Sequence, residues 1–408
     1  MKVNRAPAQP VLRLRRRCDT GAWPSLLCWL TATSMALTLP AAAQQWQVTP
    51  DVNIGVQYDD NITLDPEDPE SAFGPTARAA VRALRSTENS ELGLLGGLRL
   101  EQFRENSDLS NVAAFIGGDG SYRTPRSQFR LDLSFSTQPT LTSETGTTGV
   151  RPADAEGQQY RLDLRPGWSY RLSERSALGL DASYTQVFYD GVDDGSLTDY
   201  RAGNLSLSSS RRLTEALRAR VVASYGQYRS QGDVNESDNV ALQLGADYQV
   251  SETLSIDALF GVRRTESTLP DTFGRPITEN STGLAYNLLI QKRLARGARL
   301  SLRALRDLRP TGAAEVLDTT SLRLGYTYPI YERLSLRLSS QVYRNRQPGG
   351  EQSGSDRTYA DGQVNLFYRI QPTWSLGFSY RYRWQDREDD PSSADSNRVG
   401  LSLLWSGR

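Results

Sequence analysis

The chain has 408 residues, 47 basic against 47 acidic side chains, and no histidine. Zero net charge argues against nucleic acid as the main partner, which needs a basic stripe, and the missing histidine removes the commonest general acid/base and the commonest metal ligand. A mean hydropathy of -0.53 gives no sign of a polytopic helical membrane protein.

Residues 1–43 read as an export signal. Lys2, Arg5, Arg13, Arg15, Arg16 and Arg17 form a basic head, and an apolar stretch follows from Ser25 to Leu39. Pro40 then precedes Ala41, Ala42 and Ala43, small residues that suit a signal-peptidase pocket, so cleavage is expected before Gln44. A single membrane-anchoring helix is the weaker reading, because the run is short and broken by Thr31, Thr33 and Ser34. Both cysteines, Cys18 and Cys28, would leave with this segment, so no disulfide framework or thiolate site is expected in the remainder. Removing six basic residues and one acid leaves 41 against 46, a net charge of -5.

From Gln44 to Arg408 the pattern is alternation of apolar and polar residues, the period of strands with two unlike faces. Phe129, Leu131, Leu133 and Phe135 oppose Arg130, Asp132, Ser134 and Ser136. Tyr160, Leu162, Leu164, Trp168 and Tyr170 oppose Arg161, Asp163, Arg165, Gly167 and Ser169. Trp374, Leu376, Phe378, Tyr380, Tyr382 and Trp384 share one face, with Ser375, Gly377, Ser379, Arg381 and Arg383 on the other. The aromatics at the ends of these apolar faces suit an interfacial girdle.

The connections alternate in length. Short turns are predicted near Ser86–Asn89, Thr124–Ser127, Ser173–Ser176, Leu213–Ala216, Ser251–Thr253, Ala295–Gly297, Tyr331–Arg333 and Gln371–Thr373. Glu174, Glu215, Glu252 and Glu332 mark four of them and reveal a repeat of about 40 residues, one hairpin per repeat. Longer polar loops are predicted between them, including Asp59–Phe73, Thr137–Gly157, Ser230–Ser237, Glu266–Asn280, Thr311–Leu317 and Arg387–Ser396. The same repeat length could describe propeller blades, but blade strands are shorter and bury both faces. A sheet with one apolar and one charged face must stack on another sheet or close with its apolar face in lipid. The expected fold is therefore all-β: a transmembrane antiparallel up-and-down barrel over residues 44–408, of about eighteen strands with sixteen as the fallback. The weakest segments are Asn111–Tyr122, Arg201–Arg212 and Arg299–Arg309.

Barrels of this size cannot fill their interior with side chains, so a water-filled lumen is expected unless loops plug it. Candidate lumen-lining residues are Arg130, Asp132, Arg161, Asp163, Arg165, Arg303, Arg323, Arg337 and Arg381. They could form a transverse field or cationic ladder for an anionic, extended solute, or simply pair across strands and keep the wall wet. Thr137–Gly157 is the longest connection and is either a constriction loop folded inward or a solvated surface loop. The acidic runs Asp65-Glu67-Asp68-Glu70, Asp190-Asp193-Asp194 and Glu388-Asp389-Asp390 are hydrated loop tips or, less often, sites for divalent cations shared with lipopolysaccharide. No catalytic residue, cofactor or resident metal is expected. A plugged transporter is disfavoured, since no plug domain precedes the strands. Val399, Leu401, Leu403 and Trp405 give the last strand the character of an assembly signal for the barrel-insertion machinery, with Ser406-Gly407-Arg408 overhanging it.

The segment Ile54-Gly55-Val56-Gln57-Tyr58-Asp59-Asp60-Asn61-Ile62 resembles the opening of a bacterial group of outer-membrane β-barrel proteins called β-barrel porin 2, whose first strand ends in Tyr-Asp-Asp-Asn or a near variant. The resemblance implies an outer-membrane pore, often found beside exopolysaccharide genes, with polysaccharide export components as partners besides outer-membrane lipid and lipopolysaccharide. It carries over no functional residues. Two functions follow from the sequence: a passive channel for saccharide or exopolysaccharide, or a structural or adhesive barrel whose loops bind surface polysaccharide without conducting.

Overall fold

The computed structural model describes residues 46–104, 109–140, 143–144, 157–192, 197–233, 235–270, 275–346, 356–387 and 390–407. The expected export signal therefore lies outside the described residues. Alternation on this chain produces strands for an elementary reason. Successive side chains point to opposite faces, and β-branched, aromatic and leucine residues on every second position fill one of them.

The strands are β1 (Trp46–Asp59), β2 (Ala72–Ser86), β3 (Ser90–Glu101), β4 (Asn111–Arg123), β5 (Ser127–Pro139), β6 (Gln158–Arg171), β7 (Ser176–Asp190), β8 (Tyr200–Arg212) and β9 (Leu217–Ser230). They continue as β10 (Glu236–Ser251), β11 (Leu254–Pro270), β12 (Pro276–Arg293), β13 (Arg299–Pro310), β14 (Val316–Tyr331), β15 (Leu334–Arg346), β16 (Arg357–Gln371), β17 (Trp374–Arg387) and β18 (Asp390–Ser406). Each pairs antiparallel with the next, and β1 pairs with β18 from Asp51↔Ser406 to Asp59↔Arg398. The sheet is closed at eighteen strands, so the larger of the two expected numbers is the observed one. The three weakest predicted segments are β4, β8 and β13.

Closure fixes inside and outside. Ile54, Leu98, Ile116, Leu131, Leu207, Leu244, Val262, Leu284 and Leu401 stand exposed on one face. On the other face Arg130 of β5 reaches Asp181 of β7, and Arg383 of β17 reaches Asp59 of β1, each across an intervening strand. Only the concave side allows that reach, so the charged face is internal. The outward run of β1 from Val48 to Tyr58 covers roughly 33 Å along the strand at about 3.3 Å per residue. At a tilt of about 40° this is roughly 25 Å of vertical height, the height of an outer-membrane barrel's apolar band. Tyr122, Tyr248, Tyr331, Tyr368 and Trp374 are exposed near the short-turn end, and Tyr58, Phe73, Phe188 and Tyr382 near the other. Among the described residues no helix is long and apolar enough to cross a membrane. Strands do the crossing, and the chain is an outer-membrane β-barrel.

Several predicted long loops are too long. Strand pairing between β11 and β12 continues to Pro270↔Pro276, β10 begins at Glu236, and β17 and β18 pair to Arg387↔Asp390. Beyond the apolar band both faces of a strand are wet. Hydrogen bonding goes on while the apolar alternation, which is the sequence signal, stops.

Candidate functional site: the lumen and its two mouths

Arg130, Asp132, Arg161, Asp163 and Arg165 stand on the inner faces of β5 and β6, opposite exposed Leu131, Leu133 and Phe135. Arg303, Arg323, Arg337 and Arg381 stand on the inner faces of β13, β14, β15 and β17. The structure brings only some of them together. Arg161 holds Asp163 through Nε at 2.7 Å and Nη2 at 3.0 Å, while Arg165 lies 3.6 Å from the same carboxylate and Thr185 donates to it at 2.7 Å. Asp132 faces Arg165 across the β5–β6 ladder. Arg220 bridges Asp247 at 3.0 Å and Asp257 at 2.7 Å, which face each other on β10 and β11. One arginine thus offsets the repulsion of two carboxylates directly opposite each other. Arg381 pairs with Asp361.

The far side of the lumen differs. Arg303 and Arg323 are direct cross-strand partners, and neither has an ion pair among the described residues. Arg337 lies over the Phe367 ring, 5.8 Å from its centroid. These like charges face each other in a region open to water, where screening makes the juxtaposition cheap.

The long-loop mouth is packed. The β1–β2 loop folds inward: Asn61, Ile62, Thr63 and Leu64 are all buried, with Leu64 fully so. Its anchor is Asp59, wholly buried, which accepts from Arg383 Nη2 at 2.8 Å, Arg398 Nε at 2.7 Å and Ser396 Oγ at 2.6 Å. Arg383 Nη2 also donates to the Asn61 carbonyl at 2.9 Å. Asp60 accepts from the backbone N–H and side-chain amide of Asn397 at 2.6 and 2.9 Å. Asn61 ties the loop on itself, its Oδ1 accepting from the Asp65 N–H at 3.0 Å. Leu64 packs on stacked Tyr343 and Tyr359, and its carbonyl accepts from Gln385 at 2.7 Å. The Tyr58-Asp59-Asp60-Asn61 motif is thus a clamp that seals the β1–β18 seam and pins the first loop inside the mouth.

A second inward element comes from the β13–β14 tip. The β12–β13 ladder runs only from Tyr286↔Arg306 to Arg293↔Arg299, so the outer part of β13 leaves its neighbour. Fully buried Thr311 accepts from Tyr228 through its carbonyl at 3.3 Å, Gly312 accepts from the Thr198 N–H at 2.6 Å, and Ala314 accepts from Asn235 at 2.8 Å. Val316 packs on Val187, Tyr200 and Tyr228. The tip therefore crosses the lumen to β7–β9, and Arg263 of β11 pairs with Asp318 of β14 at 2.6 Å beside it. A cavity of about 430 Å³ lies beneath, lined by Thr185, Asn204, Asn239, Leu259 and Leu305 among others. Leu64 and Ala314 are two of the few non-glycine residues with positive φ, 55° and 59°. In each inward element the strained residue has its carbonyl held by a side-chain amide, from Gln385 of β17 or from Asn235 just before β10, the over-determination that such strain requires.

Of the predicted constriction loop, Thr140, Ser143 and Glu144 are described and buried. Glu144 accepts from Gln159 at 2.7 Å and Tyr189 at 2.6 Å, both inward-facing. Residues 141–142 and 145–156 lie outside the described residues. Asp65 accepts the Glu67 and Asp68 N–H groups at 2.9 and 3.2 Å, closing its own turn. Asp193, Asp194, Glu388 and Asp389 are outside the described residues, among which no cluster of three metal-ligating side chains occurs.

Sequence reasoning missed the short-turn mouth. A cavity of about 580 Å³ there is lined by Arg123, Arg126, Arg171, Arg175, Arg212 and Arg218, with Glu174 beside them. The signal was available, since an arginine recurs at the inward end of several strands. It was hidden because turn-adjacent charges are common and unremarkable.

No family model matches the chain, and no curated protein matches it. Solved structures with a similar course include the outer-membrane protein OpdK from Pseudomonas aeruginosa, at 13% identity over 88% of this chain and 99% of that one, TM-score 0.45. OccAB3 from Acinetobacter baumannii is similar at 13% identity over 89% of this chain and 100% of that one, TM-score 0.45. A bacterial polysaccharide outer-membrane secretin is similar at 10% identity over 88% of this chain and 98% of that one, TM-score 0.31. At such scores the likenesses carry no argument about function, which rests on the barrel's own geometry.

Proposed function

We propose that this barrel is a porin-like channel for an extended hydrophilic solute, a saccharide or exopolysaccharide, and that it carries no catalytic site. The supporting observation is the inner wall of eighteen strands, lined by ion pairs and free arginines rather than by an apolar core. Such a surface is stable only against water or a polar solute. A sugar chain suits it, since paired charges and arginine donors offer hydrogen bonds to hydroxyls along the wall. The partners that go with this reading are lipopolysaccharide around the exterior, the insertion machinery acting on the strand that holds Trp405, and export components on the short-turn side. Reconstitution in a planar bilayer tests it: steady ionic conductance, reduced by added neutral maltohexaose, is expected. Silence in a correctly folded sample would sink the channel.

The packed long-loop mouth favours a second reading, a structural or adhesive barrel that binds surface polysaccharide without conducting. Folding the β1–β2 loop and the β13–β14 tip inward narrows the passage by design. Silent bilayers combined with retention of the barrel on a polysaccharide column would select this reading.

A further inference from the structure

The short-turn mouth carries a built repeat. At this end the last inward residue of a descending strand donates its backbone N–H to the final residue of the preceding turn. Arg123 donates to Asn89 at 2.8 Å, Arg171 to Arg126 at 2.7 Å, Arg212 to Arg175 at 2.7 Å, Arg293 to Thr253 at 2.8 Å, and Arg369 to Arg333 at 2.7 Å. Gln249 and Ser406 occupy the equivalent places on β10 and β18, donating to Ala216 at 2.8 Å and Thr373 at 2.9 Å. Five of these seven stapled inward positions are arginine. All five side chains are exposed to the mouth, and none has an ion pair among the described residues. That contrasts with the β5–β11 wall deeper in the lumen than this mouth, where Arg161, Arg165 and Arg220 are matched to carboxylates.

We infer that the short-turn mouth is an arginine ring that captures an anionic solute, one bearing carboxylate or phosphate groups, before it enters the lumen. The ring is densest where Arg123, Arg171 and Arg212 meet Arg126 and Arg175 around the cavity of about 580 Å³. The staples fix the backbone under each guanidinium, so the ring keeps its geometry. Arg293 donates to the Glu252 carbonyl at 2.6 Å, while the guanidinium groups of Arg123, Arg171 and Arg212 face the cavity and can fork onto a carboxylate or phosphate. The turn acids temper it: Glu174 lines the same cavity, and Glu215, Glu252 and Glu332 occupy equivalent turns. They sit one residue from the staple acceptors and limit affinity, so that a bound anion can leave inward. Short-turn ends face the periplasm in outer-membrane barrels, which makes this the entrance for outward passage. That last step rests on the channel reading, whereas capture itself does not.

The test compares the full-length barrel with the triple variant R123Q/R171Q/R212Q and with its lysine counterpart. Binding of trigalacturonate, of tripolyphosphate and of neutral maltotriose to detergent-solubilised barrel is measured by calorimetry at low salt. Removing three fork donors is expected to weaken trigalacturonate by about tenfold or more, with the lysine variant, which keeps the charge and loses the fork, falling between the two, and E174Q raising the affinity. Tighter binding of tripolyphosphate than of trigalacturonate assigns the ring to phosphate chemistry, and the reverse assigns it to carboxylates. In bilayers, with orientation reported by a label on E215C, trigalacturonate should block from the short-turn side and the triple variant should lose anion selectivity. Equal binding of maltotriose, or affinity and selectivity unchanged in the triple variant, overturns the ring even where the wild-type barrel conducts. Binding that the triple variant loses, in a barrel that does not conduct, upholds the ring and removes the channel.

Discussion

At the scale of single residues, the densest stabilisation sits on Asp59. It is fully buried and faces two arginines, of which Arg383 has only 8% of its side chain exposed. Taking such charges out of water is costly, and the cost is recovered only while every partner is in place. D59A leaves Arg383 and Arg398 without their carboxylate and should lower stability by about 3–5 kcal/mol, read as a shift in the urea midpoint of the heat-modifiable band. D59N keeps the shape and the Ser396 contact, so its effect should be smaller. Protease sensitivity within the β1–β2 loop should rise in parallel. A midpoint that D59A leaves unmoved would mean the loop is not clamped as described. The motif was legible in the sequence as a resemblance, but its role was not. Asp59 meets Arg383 across 324 positions of chain, and nothing local announces a contact that barrel closure creates.

At the scale of elements, alternation placed the strands and their inner faces, while the inward elements went unseen. Thr311–Leu317 reads as an ordinary polar loop, with a glycine and two alanines. Its docking depends on β13 parting from β12 and on receptors supplied by β8, β9 and the residues after β9. None of those has a sequence period. The absence of cysteine after Cys28 makes the docking directly testable. The pair N235C/A314C replaces a 2.8 Å side-chain-to-carbonyl contact, and it should oxidise spontaneously in the folded barrel. Locking the tip should leave conductance near its wild-type value, and replacing Thr311–Glu315 with a two-residue Asn-Gly turn should raise it roughly twofold by clearing the crossing. No disulfide, together with unchanged conductance in the shortened variant, would place the tip in the wall instead. The β1–β2 loop and Glu144, which accepts from Tyr189 beside the same tip, would then account for the narrowing among the described residues.

At the scale of the whole molecule, the barrel is a single decision about which face of every strand meets lipid. Composition hid that decision: a mean hydropathy of -0.53 describes an exterior that is apolar and an interior that is not. Adjacent residues of β5 test it. Leu133 is 47% exposed on the outer face, and Ser134 follows it on the inner face opposite Gly117 and Asp163. Arginine at Leu133 would sit near the middle of the apolar band, where a lipid-facing cation costs about 2–4 kcal/mol. Arginine at Ser134 would enter a wet wall with a glycine on one side and a carboxylate on the other, and should cost little. L133R is therefore expected to reduce the folded fraction in lipid vesicles and lower the urea midpoint. S134R should fold normally and alter ion selectivity towards anions. One residue separates the two substitutions and the chemistry added is the same, so a helix or loop predicts no such contrast, and a stacked soluble sheet predicts one that does not depend on lipid. Equal tolerance of both would contradict a lipid-facing exterior, and the reverse order would turn the barrel inside out.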